Sequence, residues 1–164
     1  MSGNWYDRAQ ICVEGHVINS QSLHHPEHNK DFCEKCGEKT ITNCQNCGAP
    51  IRGYYHTPPM GTLNHTTLAL PRFCHECGIP YPWTEAALKA AQELSDELEN
   101  LSPEECDLLK KSIDDIVRET PQATVAVSRF KRLVAKAGPV AADMYREILL
   151  PLLSETVKKL IWPS

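Results

Sequence analysis

The chain has 164 residues, eight of them cysteine, and a formal net charge of -4. That length admits one domain or two small ones, and the acidic balance argues against a generic nucleic-acid binder. No apolar run approaches the roughly 20 residues of a membrane span, and MSGNWYDRAQ lacks the basic and apolar regions of a secretory signal. The expected compartment is the cytoplasm, where reducing conditions favour thiolate ligands over disulfides.

In chain order, Trp5 and Tyr6 suggest an early strand or cap. ICVEGHVIN follows at residues 11–19 and sets Cys12 and His16 either side of three residues that include Gly15, a Cys-x-x-x-His variant of a metal knuckle. Between Cys33 and Cys77 stand three Cys-x-x-Cys-Gly units, in FCEKCG, NCQNCG and FCHECG. Such a turn holds two thiolates at the separation of two corners of a tetrahedral Zn²⁺ site. Gly37, Gly48 and Gly78 stand where the turn closes through positive φ, a conformation that strains any side chain. A disulfide framework or a redox pair also uses paired cysteines, but the threefold repetition with glycine favours zinc.

Local sequence suggests how the knuckles pair. Phe precedes Cys33 and Cys74 while Asn43 precedes Cys44, so two units read as closing halves and one as an opening half. The expected sites are therefore Cys12, His16, Cys33 and Cys36 for one Zn²⁺, and Cys44, Cys47, Cys74 and Cys77 for a second. A rival arrangement joins Cys33 and Cys36 to Cys44 and Cys47, and leaves Cys74 and Cys77 short of partners. Seven thiolates on two divalent ions add a further -3 to the formal -4.

The remaining histidines are expected to be non-ligands. His24, His25 and His28 in LHHPEH can in principle hold a third, weaker ion, though Pro26 and Glu27 read more plainly as an exposed loop. His56 and His65 lie in the long loop between Cys47 and Cys74, and His75 lies inside a knuckle. IRGYYH at 51–56 reads as a strand, and IPYPW at 79–83 as extended chain set by Pro80 and Pro82. Tyr54, Tyr55, Tyr81 and Trp83, with Arg52 nearby, are either a stacking platform for a base or peptide or the module's own core. The second is expected.

From Thr84 the pattern is helical. Leu88, Ala91, Leu94, Leu98 and Leu101 keep helical spacing. Ser102, Pro103 and Glu105 then form a capping box ahead of Cys106, Leu109, Ile113, Ile116 and Val117. A third helix is expected from Thr120 and Pro121 to Gly138. A fourth, from Pro139, is apolar nearly all round through Ile161 and should kink at Pro151. Such a helix implies an oligomer seam or partner groove. Residues 85–119 carry 11 acidic and 4 basic groups, and residues 120–164 carry 3 and 7. Arg129, Arg132 and Lys136 make the one concentrated basic stripe.

The fold class is thus α+β: a small β-rich double zinc ribbon over residues 1–83, then a four-helix all-α region over 84–164. Residues 1–83 hold only 13 Leu, Ile, Val and Phe against 23 in the second half. The first half needs a metal staple, and the second can form its own core.

The order CVEGH, FCEKCG, NCQNCG, IRGYY, FCHECG, PYPW and a tail ending KKLIW resembles an uncharacterised bacterial family classed only as a domain of unknown function. The resemblance covers nearly the whole chain. It implies metal and local fold but no substrate. With ligands consumed in closed sites, and with no paired carboxylates, nucleophile elbow or phosphate-binding glycine loop, the expectation is a non-enzymatic adaptor. Its ribbons would form a recognition module, and its helices would self-associate or bind a protein partner. Binding of RNA or single strands is the alternative, and the acidic charge disfavours it.

Overall fold

The computed structural model describes residues 3–57 and 68–163. The chain divides into two compact units, Met1–Thr84 and Glu85–Ser164.

The first unit is built from very short strands. β1 (Trp5–Arg8) pairs antiparallel with β5 (Arg52–His56), placing Trp5 opposite His56 and Tyr6 opposite Tyr55. β2 (Gln10–Cys12) lies between β3 (Val17–Asn19) and β4 (Thr40–Ile41). Ladders this short cannot hold a chain by themselves, and buried polar side chains do part of the joining. Gln10 donates to Lys30 O at 2.9 Å and accepts from Lys30 N at 2.9 Å. Asn19 donates to His25 O at 2.8 Å, and Asp7 accepts from Leu23 N at 2.9 Å. Each satisfies backbone groups of the 20–31 loop that no strand reaches. Gly53 marks the closest backbone approach, since a Cβ there would lie 2.2 Å from Ser20 O.

The second unit is helical. α1 (Pro82–Asp96) begins two residues before the expected Thr84. α2 (Pro103–Arg118) starts at the capping box, with both the Ser102 and Glu105 side-chain bonds formed. It stops where Glu119 turns left-handed at φ 51°. α3 (Ala123–Ala137) begins later than Thr120, because Ala123 N first closes a turn onto Thr120 O at 2.8 Å.

The expected fourth helix is two helices. α4 (Pro139–Leu149) passes into a 3-10 turn over Leu150–Leu152, and α5 (Glu155–Ile161) follows. The region therefore has five helices rather than four. Pro151 brings no N–H to the ladder, and Ser154 starts a new helix by accepting from Val157 N at 3.3 Å. The chain turns there instead of kinking, which lets Leu149, Leu152, Leu153, Val157 and Ile161 all be buried while Met144 and Leu160 stay exposed. The core adds Leu109, Ile113, Ile116, Phe130, Leu133 and Tyr145. Phe130 meets the Tyr145 ring edge-on, and the Tyr145 hydroxyl lies 2.7 Å from Ser95 Oγ. Among the described residues no helix is long and apolar enough to cross a membrane.

Candidate metal centres

The three Cys-x-x-Cys-Gly units fold alike. In each, the N–H of the first Cys bonds to the carbonyl five residues on: Cys33 to Glu38, Cys44 to Ala49 and Cys74 to Ile79, at 2.8–2.9 Å. The glycine N–H returns to the first Cys carbonyl, and Gly37, Gly48 and Gly78 take φ of 78°, 78° and 74°. A β-bridge closes each neck: Phe32 with Lys39, Asn43 with Pro50 and Phe73 with Pro80. The fourth unit differs. Cys12 N bonds to His16 O, Gly15 N bonds to Cys12 O, and the His16 N–H points at the Cys12 sulfur at 3.3 Å. N–H groups aimed at sulfur are the outer shell that steadies a thiolate ligand.

These units assemble into two tetrads, Cys12–His16–Cys33–Cys36 and Cys44–Cys47–Cys74–Cys77, whose ligand atoms all lie within 4.8 Å of one another. In the first, Cys12 Sγ is 3.4 Å from His16 Nδ1 and 3.8 Å from Cys36 Sγ, and Cys33 Sγ is 3.6 Å from His16 Nδ1. In the second, Cys44 and Cys77 sulfurs are 3.7 Å apart, and those of Cys47 and Cys74 are 3.6 Å apart. A tetrahedral ion about 2.3 Å from sulfur and about 2.0 Å from imidazole nitrogen requires edges of about 3.8 Å and 3.5 Å. The edges of the tetrads agree for both atom pairs. A disulfide needs about 2.0 Å, and all eight cysteines are free. The residues fit a metal ion, and soft sulfur donors suit a transition ion rather than Mg²⁺ or Ca²⁺.

Residues 5–161 match the family model described as "Uncharacterized protein conserved in bacteria (DUF2321)". The chain belongs to this family. No curated protein and no solved structure matches it. The family match supplies no activity, so the chemistry of this DUF2321 chain must be read from the tetrads.

The knuckle backbone treats the two cysteines of a pair differently. Burial raises the Cys33 thiol, but the N–H groups of Cys36 and Lys35 and the neighbouring thiols bring it down to about 7. Cys74 is likewise brought down to about 6 by the Cys77 and Glu76 N–H groups. Cys36 accepts from the Glu38 N–H, yet burial and the crowding sulfurs push it up to about 11. Cys47, beside the Ala49 N–H, is pushed up to about 12 in the same way. Burial also raises the Tyr81 hydroxyl, as does the Cys74 sulfur beside it, so this group stays a proton donor next to the tetrad.

The pH dependence follows in sign. A metal-free tetrad keeps protons on Cys36 and Cys47 at neutral pH, and an incoming ion must displace them. Acid therefore favours the protonated, metal-free state. Bound metal, held at neutral and alkaline pH, should be lost progressively as the medium is made acid. Elemental analysis after desalting at stepped pH checks this, and occupancy that is flat or rises toward acid contradicts it.

The three histidines of LHHPEH do not converge on an ion site of their own. His24 and His25 rings are 4.8 Å apart and His25 and His28 rings 6.0 Å, but Glu27 engages His25 Nδ1 at 3.0 Å and His28 Nε2 at 3.8 Å. Among the described residues only the two tetrads gather three or more ligand atoms. His65 lies outside the described residues, and His75 is exposed beside Glu76 at 3.5 Å. Tyr81 and Trp83 are buried and stack on each other at 4.8 Å, and the Trp83 indole donates to Pro71 O at 2.7 Å. Tyr55 is exposed and instead pairs with Tyr6, over which Arg52 lies at 4.7 Å. In the basic stripe, Lys136 is bound to Glu105 at 2.7 Å, so α3 spends part of its charge on α2.

Three features escaped sequence reasoning: the Asp7–His56 pair, the Gln10 and Asn19 staples, and the Tyr6–Tyr55 contact. The Asp7–His56, Gln10 and Tyr6–Tyr55 contacts join residues 20 or more apart in the chain, and none of the three features leaves a periodic or motif signal.

Proposed function

We propose that this chain is a non-enzymatic, cytoplasmic zinc-binding interaction protein. Two structural Zn²⁺ ions hold its first unit as a double zinc ribbon, and its helices supply contact surface for a second copy or a protein partner. The observation that carries this reading is closure of the tetrads. Each brings four protein ligand atoms together, and four such ligands complete a tetrahedral Zn²⁺ shell with no position left for a reacting water. The contact surface is the exposed apolar pair one turn apart on α4, Val140 at 72% and Met144 at 48% exposure. This surface is smaller than a single all-apolar helix would present, because the turn at Leu150–Leu152 folds most of those side chains inward.

The test is elemental analysis of protein purified without added metal. Two zinc ions per chain are expected in the wild type, falling towards one in His16→Ala and in Cys44→Ser. One ion unchanged by His16→Ala removes Cys12 and His16 from the ligand set, and iron in place of zinc overturns the choice of metal.

A further inference from the structure

Apart from the tetrads, a set of metal-ligating side chains lies around His56 on β5. The Asp7 side chain is fully buried (0%), and its Oδ2 lies 3.0 Å from His56 Nε2. Its Oδ1 accepts from Arg8 N at 2.7 Å and Leu23 N at 2.9 Å, so the carboxylate cannot turn. A carboxylate held in this way accepts, so Nε2 carries the proton and the lone pair of His56 resides on Nδ1. The ring is also fixed in orientation. Trp5 stacks on it at 4.1 Å and Tyr54 meets its edge at 4.9 Å. An imidazole whose second nitrogen donates to a buried carboxylate is the usual form of a metal-ligating histidine. The exposed His24 ring stands beside it, with ring centres 5.4 Å apart. Two imidazoles sharing one ion at about 2.0–2.1 Å have ring centres about 5 Å apart, a few tenths of an ångström closer than here.

We propose that His56 and His24, with Asp7 behind His56, form a third metal site that takes a divalent transition ion of the zinc, nickel or copper type. It differs in kind from the tetrads. Two neutral imidazoles leave the rest of the coordination sphere to water, so the ion exchanges readily and its bound water is open to solvent. Imidazole ligands select transition ions of this class over Mg²⁺ or Ca²⁺. A simple clamp between β1 and β5 accounts for Asp7 and His56 but gives His24 no part.

The experiment adds Ni²⁺ to the zinc-loaded full chain and follows it by calorimetry and by paramagnetic broadening of imidazole NMR signals. One Ni²⁺ should bind with the zinc content unchanged, broadening His24 and His56 first. His24→Asn should weaken binding at least tenfold, and Asp7→Asn about 10–100-fold. His24 is exposed, so its variant tests the site even if substitution at His56 or Asp7 disturbs the fold. Nickel affinity unchanged by His24→Asn, or broadening centred on His25 and His28 instead, overturns the proposal.

Discussion

Removal of both ions with a strong zinc chelator should unfold Met1–Thr84 while the helical signal of Glu85–Ser164 persists. The first unit has few large buried apolar side chains, chiefly Ile11, Ile41, Ile51, Tyr81 and Trp83. Cys12, Cys33, Cys44 and Cys74 are buried with them, so the ligands are themselves part of the core. A structural zinc contributes on the order of 10 kcal/mol or more in apparent binding energy, and a whole small domain has a net stability of about 5–15 kcal/mol. Without metal the balance should therefore reverse. Each metal-free tetrad would be left with side chains, some of them protonated, that no ion ties together. In an amide NMR spectrum, dispersed signals from residues 3–57 should collapse on chelation and return when zinc is added back. Ellipticity near 222 nm should change little. A first unit that keeps its dispersed spectrum after metal loss would show that the short strands and polar staples suffice, and the structural role assigned to the ions would fail.

What could be read in advance and what could not divides along the range of the interactions. The knuckles were legible because each is a local device: a cysteine, two residues, a cysteine and a glycine that must take positive φ. The grouping into Cys12–His16–Cys33–Cys36 and Cys44–Cys47–Cys74–Cys77 was suggested only by neighbours, Phe32 and Phe73 against Asn43. The helix boundaries were legible where capping chemistry marked them, as at Ser102 and Glu105. They were missed where apolar spacing ran on regardless, through Leu150 to Leu153. The signal for that break was present in Pro151 followed by Ser154, a residue without an N–H and then a new N-cap. It was outweighed by a hydrophobic pattern that records burial and not continuity of the helix axis. The Asp7–His56 pair and the Gln10 staple had no such signal, because a polar side chain does not announce a partner 20 or 49 residues away. The acidic stretch 85–119 and the basic stretch 120–164 meet at Glu105 and Lys136.

Phe130→Ala should be the counterpart of chelation, costing the helical unit its stability and the metal centres nothing. Phe130 is 1% exposed and packs edge-on against Tyr145, with ring centres 5.5 Å apart. Truncating it removes a full aromatic side chain from a close-packed interior, and such changes cost about 3–5 kcal/mol because the cavity closes only in part. Tyr145 is poorly placed to fill the space, since its hydroxyl is held by Ser95 Oγ at 2.7 Å and burial has already raised its pKa. With a urea slope of about 1–3 kcal/mol/M for small proteins, the midpoint of the helical transition should fall by roughly 2 M. Zinc content should remain that of the wild type, because every ligand lies within Met1–Thr84. A urea midpoint shifted by only a few tenths of a molar would mean that the core around Tyr145 repacks. Loss of zinc together with helicity would mean that the two units do not fold as separate cooperative bodies. The pair of experiments thus separates two proposed sources of order in one chain: coordination bonds in the first unit and buried hydrocarbon in the second.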